Sequence, residues 1–191
     1  DICNSALNMI GASNIISLTE DSRAARVCNQ RFEFVRDATF RAHPWNCLIT
    51  RTSLAADSET PAFEFEYQHT LPTDPYCLRV LRPQDIDTIY RIEGRKIMSN
   101  ATPFKMIYVA RVTDANEYDQ LLIETIASRL AADISYALVN SAALSQSLMA
   151  MYEGKLSEAR FVDATEGTPD NIINVDRATY VESDMFIASR F

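Results

Sequence analysis

The sequence predicts an α+β fold: a mainly α-helical bundle of four helices, two of them long, with an antiparallel β insertion and an extended C-terminal arm. Apolar residues recur at helical spacing near both ends of residues 1–165, whereas apolar and polar residues alternate in the middle. No period holds after residue 165. We therefore expect a bundle over residues 1–165 with the β insertion at about 46–112, and an arm over 166–191.

Apolar stripes and their end signals predict the first two helices. Gly11 ends the first helix, and Thr19 is a candidate N-cap for the second. Pro44 ends the second helix because the residue before a proline is displaced from the α region. The second helix has an apolar stripe that includes Ala24, Cys28, Phe32, Val35 and Ala38. Five arginines are expected on its solvated side, diluted by acids: Arg23, Arg26, Arg31, Arg36 and Arg41.

The β insertion is predicted from alternation and from turn residues. Phe63, Phe65 and Tyr67 alternate with polar residues, which is typical of a strand. Further strands are expected at residues 77–81, 90–92, 96–98 and 104–112, with a hairpin tip at Glu93-Gly94. The insertion is therefore expected to contain four to six short antiparallel strands.

Two more helices are predicted after the insertion. Asp114 and Glu117 form a possible capping box for the third helix. This helix is rich in apolar and small residues, so burial on more than one side is expected. Asn140-Ser141 marks a joint, and the fourth helix is expected to end near Thr165.

Residues 166–191 scatter apolar side chains among polar ones without a period. Such a segment cannot bury its own apolar groups, so we expect it to lie on its own domain or on a neighbouring chain. The residues of this candidate binding arm are Ile172, Ile173, Val175, Tyr180, Val181, Met185, Phe186, Ile187 and Phe191.

Composition limits the class of protein. The 191 residues are 47% hydrophobic, enough for one cored domain with an extension. The formal net charge of −8 argues against wrapping nucleic acid, which needs a basic face. The four cysteines have no metal-type spacing and apolar neighbours, which predicts reduced, buried thiols: Cys3, Cys28, Cys47 and Cys77.

Motifs for catalysis and cofactor binding are missing from the sequence. None of the four glycines belongs to a phosphate-binding motif, and no G-x-S-x-G elbow occurs. His43 and His69 lie on different predicted elements, which does not favour a metal site. His43 is expected at a helix C-terminus and His69 at the exposed end of a strand. We therefore expect no catalytic residues, no metal and no cofactor.

Pro44 and Trp45 are the candidate structural anchor. Trp45 is the only tryptophan, and a tryptophan dominates local packing when it is buried. It is expected to fix the end of the second helix against the β insertion. The alternative is an interface hot spot.

A set of short segments over residues 2–81 carries a family resemblance through its order and spacing. The segments are Ile2-Cys3-Asn4-Ser5-Ala6-Leu7, Ile10-Gly11-Ala12, Ile16-Ser17-Leu18, Arg23-Ala24-Ala25-Arg26-Val27-Cys28-Asn29, Arg36-Asp37, His43-Pro44-Trp45-Asn46, Arg51-Thr52-Ser53-Leu54-Ala55, Thr60-Pro61-Ala62-Phe63, Tyr67-x3-Leu71-Pro72 and Leu78-Arg79-Val80-Leu81. Together they resemble the tail tubular protein A family of bacteriophage head-to-tail adaptors. The later helices agree with that family in type only.

The resemblance implies a structural virion protein without enzymatic activity. Its implied place is the phage neck, at the head-tail junction, after a stage in the host cytoplasm during assembly. It implies a ring, usually of twelve copies, that docks beneath the portal protein, meets a tail or nozzle protein below and continues the DNA channel. Double-stranded DNA would pass through the lumen without specific binding, since an acidic ring repels it. The arm would reach the portal, and no membrane is involved.

Two other interpretations remain open at the sequence level. One is a monomeric interaction or assembly-chaperone module that binds a helical partner through the apolar third helix. The other is a hydrolase that uses His43 or His69.

Overall fold

The computed structural model describes residues 1–166. In these residues the predicted α+β class is confirmed: a helical bundle carries antiparallel strands between residues 49 and 110. The candidate binding arm, with its nine apolar residues between positions 172 and 191, lies outside the described residues.

Four α-helices form the bundle in the described part of the chain. They are α1 (Ile2–Met9), α2 (Arg23–Ala42), α3 (Gln120–Val139) and α4 (Ala142–Thr165). Three of them, rather than two, have 20 residues or more. The apolar helix α3 packs against α1, α2 and α4, which explains why it carries apolar residues on more than one side.

The true helix caps differ from two of the predicted ones. Ser22, not Thr19, caps α2, and its side chain accepts a hydrogen bond from the backbone N–H of Ala25. The Thr19 hydroxyl instead bonds Ser17 in an exposed turn. Asp119 caps α3, whereas the predicted capping box forms a separate 3-10 helix (Ala115–Glu117) that precedes it. Each correction moves a helix start by a few residues towards the C-terminus.

Ser22→Ala is expected to lower the free energy of unfolding by about 1 kcal/mol, because it removes the only side-chain acceptor at the start of α2. Thr19→Ala is the matched control and should change this free energy by less than about 0.5 kcal/mol. Urea denaturation followed by circular dichroism measures both values. Equal losses for the two variants would contradict the assignment of the cap.

Within residues 1–166, six strands form two antiparallel three-stranded sheets. The strands are β1 (Ile49–Leu54), β2 (Tyr67–Thr70), β3 (Cys77–Pro83), β4 (Tyr90–Glu93), β5 (Lys96–Ser99) and β6 (Phe104–Ala110). One sheet has the order β1-β6-β3 and the other β2-β5-β4. The predicted hairpin is present, since β4 pairs with β5 around Gly94, which has a positive φ of 58°.

The buried apolar residues form two clusters. The larger cluster joins the four helices and also includes Trp45, Leu78 and Val109, so one side of the β1-β6-β3 sheet meets the bundle. The smaller cluster contains only residues of the insertion, among them Phe104 and Tyr108 from β6. Strand β6 therefore contributes to both clusters, because neighbouring residues of a strand point to opposite faces.

The strand predicted around Phe63 and Phe65 is wrong. Phe63 is 77% exposed, and Glu64 has a φ of 69°, which is incompatible with an extended strand. The strand begins only at Tyr67. The prediction that His69 lies at the exposed end of a strand is also wrong, because its ring is fully buried inside the insertion.

Not all arginines of α2 lie on a solvated face as expected. Arg36 is buried and pairs with Asp37, whose other carboxylate oxygen lies 2.6 Å from Arg111. Asp37 thereby links α2 to the segment after β6. Arg31 is exposed and pairs with Asp133 of α3.

Each of the four cysteines is a free thiol, as the sequence predicts, and three are buried. Burial raises the pKa of Cys47 and of Cys77, which keeps both thiols protonated. Among residues 1–166, none of the helices combines the length and the apolar character needed to cross a membrane.

Candidate functional site

The segment that follows α2 redirects the chain into β1. His43 has extended backbone angles, and a 3-10 helix (Asn46–Leu48) leads from Trp45 into the strand. Trp45 is fully buried, and its Nε1–H donates to the carbonyl oxygen of Thr39 at 3.0 Å. The His43 ring meets the indole edge-on, with 4.8 Å between ring centroids. Trp45 therefore lies in the core, where its polar atom is satisfied.

Asp163, in the last turn of α4, holds this segment. Its Oδ2 lies 2.9 Å from His43 Nε2, and its Oδ1 accepts from the backbone N–H of Asn46 at 3.0 Å. The Asn46 side chain donates to the Asp163 carbonyl at 2.7 Å. We call this group of His43, Asn46 and Asp163 the α4 clasp. It fixes the end of α2, the start of the β insertion and the end of α4 to one another.

Burial lowers the pKa of His43 below its ordinary value. Attraction by Asp163 raises this pKa only in part, and the nearby charges of Arg160 and Arg79 lower it again. The neutral ring therefore predominates near neutral pH, and it donates its Nε2 proton to the carboxylate.

The shifted pKa of His43 predicts a pH-dependent stability. In the unfolded chain the ring keeps its ordinary pKa of 6.5, so below that pH the unfolded chain binds more protons than the folded one. The free energy of unfolding is therefore expected to fall as the pH falls from about 7 to about 5.

Denaturation at a series of pH values measures this effect. The difference between the wild type and His43→Gln isolates the contribution of His43 from that of the acidic groups. A difference that stays constant between about pH 5 and pH 7 would contradict the prediction.

A groove begins beside the α4 clasp and runs over the β1-β6-β3 sheet. Its first part has a volume of about 420 Å³ and is lined by His43, Pro44, Asp163 and Ala164, among others. Its second part has a volume of about 480 Å³ and is lined by residues of the sheet and its margin. The two parts share three lining residues: Arg51, Arg82 and Ile107. We call this continuous depression the basic groove.

The two histidines do not form a catalytic or metal site with each other. His69 lies in the β insertion, where its ring nitrogens face the carbonyl oxygens of Ala55 at 3.0 Å and Ala101 at 3.1 Å. His43 belongs to the α4 clasp. Within residues 1–166, no three ligand-type side chains are grouped so that they could hold a metal ion.

Pro44 and Trp45 were predicted from the sequence as a structural anchor, but Asp163, which binds the neighbouring His43 and Asn46, was not predicted. Pro44 lines the basic groove and Trp45 lies in the core. Asp163 had no distinguishing signal, because a single acid near the end of an amphipathic helix is usually solvated.

A scan against protein-family models gives no match, and a search of curated protein sequences gives no significant relative.

Proposed function

We propose that this protein is a structural virion protein, a head-to-tail adaptor of a tailed bacteriophage. In this role, copies of the chain form a ring beneath the portal. Twelve copies is the usual number in the family that the sequence resembles. The ring links the capsid to the tail and continues the DNA channel. The portal protein, a tail or nozzle protein and further copies of this chain are its proposed partners.

The proposal is supported by polar side chains in the segments that resemble the tail tubular protein A family, because they bond to distant parts of the chain. Asn4 donates to the carbonyl oxygen of Ile15 and accepts from its backbone N–H, both at 2.9 Å. Asp37 joins α2 to Arg111, and Asn46 belongs to the α4 clasp. Three separate resembling segments thus each supply a polar side chain that fastens distant parts of the chain.

Such contacts make the resemblance informative about the fold. A buried or half-buried polar side chain requires a particular partner, whereas an apolar position tolerates many residues of similar volume. A match at Asn4 and Asp37, which are both half-buried, therefore supports a shared architecture more strongly than a match at apolar positions. The α+β fold with its insertion agrees with what the resemblance implies.

The arrangement of α3 weighs against the interaction module as it was inferred from the sequence. That module would bind a helical partner through the apolar surface of α3, but α1, α2 and α4 already cover that surface. The hydrolase loses support because His69 is fully buried and bonded to backbone carbonyls.

Deleting the gene from the phage genome tests the proposed function. An adaptor joins two finished parts, so the mutant lysate is expected to contain DNA-filled heads and separate tails, and a plasmid copy should restore complete particles. Electron microscopy of the lysate measures both outcomes. The chain should also be present in purified virions by mass spectrometry, whereas an assembly chaperone would be found in infected cells but not in virions.

A further inference from the structure

The basic groove lies on the face of the β1-β6-β3 sheet that meets the bundle at Val109, further along β6. Arg51 of β1 and Arg82 of β3 are both paired in register with Ile107 of β6, one on each side. The next row on the same face brings Ser53 opposite Lys105. The floor of the groove is therefore an apolar side chain between cations, with a third cation one row further along.

The charge of the groove differs in sign from the charge of the whole chain, which is −8. Arg51 and Lys105 are exposed, and within residues 1–166 no carboxylate lies at ion-pair distance from either of them. Arg82 lies on the opposite side of Ile107 and is already engaged by another interaction, so the available cations are Arg51 and Lys105. Asp163 also lines the groove, but its carboxylate is engaged by His43 and Asn46. The groove is thus suited to a ligand with carboxylates and apolar side chains.

Residues 167–191 of this chain have that composition. Their acids outnumber their two arginines: Asp170, Asp176, Glu182 and Asp184. Apolar residues stand between the first two acids: Ile172, Ile173 and Val175. This segment follows directly on α4, and Ala164 already lines the groove.

We propose that the basic groove binds residues 167–191 of the same chain, with apolar side chains on Ile107 and carboxylates on Arg51 and Lys105. Reach does not limit this contact, since 25 extended residues span about 80 Å and a six-residue strand about 20 Å. A covalently attached segment has an effective concentration of about 1 mM or more, which favours it over a segment from a second chain. The contact goes beyond the proposed function, because it concerns the free protein and holds whichever partner the arm meets later.

Zero-length cross-linking of the full-length protein tests the contact. A carbodiimide joins an amine to a carboxylate only when the two are in contact, and tandem mass spectrometry identifies the pair. We expect an amide between Lys105 and at least one of the four acids between 170 and 184. The ion pair between Lys155 and Glu124, at 2.6 Å, serves as the internal standard.

An equal mixture of 15N-labelled and unlabelled protein identifies the chain that supplies the segment. A link within one chain joins peptides of the same isotope only, and this result supports the proposal. A link between chains joins peptides of different isotopes as often as peptides of the same isotope, and this result overturns the proposal in favour of a second copy. Arg51→Gln should reduce the Lys105 link about fivefold, the value of a surface ion pair of about 1 kcal/mol. The control Arg91→Gln, which removes an exposed charge in the other sheet, should leave the Lys105 link unchanged.

Two other results would overturn the proposal. One is a Lys105 link only to acids within residues 1–166, or no Lys105 link while the Lys155 standard forms. The other is an equal effect of Arg51→Gln and Arg91→Gln on the Lys105 link. Because the experiment uses free protein without portal, a negative result leaves the adaptor proposal standing, and a negative phage experiment leaves this contact standing.

Discussion

Trp45→Ala is expected to lower the free energy of unfolding by about 3–5 kcal/mol. The indole is fully buried, and its Nε1–H bonds the carbonyl oxygen of Thr39. Alanine would remove the packing of the largest side chain in the core and leave a cavity where α2 turns into β1. Urea denaturation should be followed by circular dichroism, because the substitution removes the only tryptophan and with it the fluorescence signal.

Phe34→Ala is the matched control for the loss of a large aromatic side chain. Phe34 lies on the same helix, α2, but is 69% exposed, so its removal should cost less than about 0.5 kcal/mol. A loss below about 1 kcal/mol for Trp45→Ala would contradict the role of Trp45 as a core anchor in the free protein.

Asp163→Ala is expected to lower the free energy of unfolding by about 3 kcal/mol. The substitution removes a carboxylate that is 8% exposed and leaves the backbone N–H of Asn46 and the Nε2 proton of His43 without their acceptor. The loss comes mainly from these unsatisfied donors. Thermal and urea denaturation of the purified variant measure it.

Two further variants separate the α4 clasp from a general effect of charge. Asp21→Ala removes an acid that pairs with Arg26 on the surface, where ion pairs contribute little, so a change of less than about 0.5 kcal/mol is expected. In a double-mutant cycle, Asp163→Ala and His43→Ala should show a coupling of about 1 kcal/mol or more. Additive losses would mean that the two side chains do not act together.

The helices of this chain could be predicted from sequence because each has a long apolar stripe with a clear end. Pro44 ends α2 as expected, and Asn140, with a φ of 56°, ends α3 at the predicted joint. The helix starts were less certain because several acceptors lie close together. Both Thr19 and Ser22 could cap α2, and both Asp114 and Asp119 could cap α3. Only the three-dimensional path of the preceding loop decides between them.

The strands from β3 to β6 were predicted from sequence, whereas β1 was missed and β2 was placed too early in the chain. The alternation of apolar and polar residues at Phe63 and Phe65 predicts a strand. The positive φ of Glu64 interrupts the extended backbone there, and the residue types do not predict that φ. Strand β1 was not recognised as a separate strand, although it pairs with β6 along its full length. The burial of His69 was missed because it depends on the pairing of β2 with β5 and on bonds from its ring to the carbonyl oxygens of Ala55 and Ala101.

The candidate site depends on contacts between residues far apart in the chain. His43 and Asn46 were singled out with Trp45, but Asp163 lies well over a hundred residues later and looks like any surface acid. The basic groove was equally hidden, since Arg51, Arg82 and Lys105 come together only through the order β1-β6-β3. Pairing between distant strands is a property of the fold, and no local sequence pattern predicts it.

Cryo-electron microscopy of the intact virion tests the adaptor role most directly. We expect a closed ring of this chain between the portal and the tail. The structure of residues 1–166, with its bundle and β insertion, should fit the density of each subunit. A well-resolved neck in which every ring is built from other proteins would contradict it.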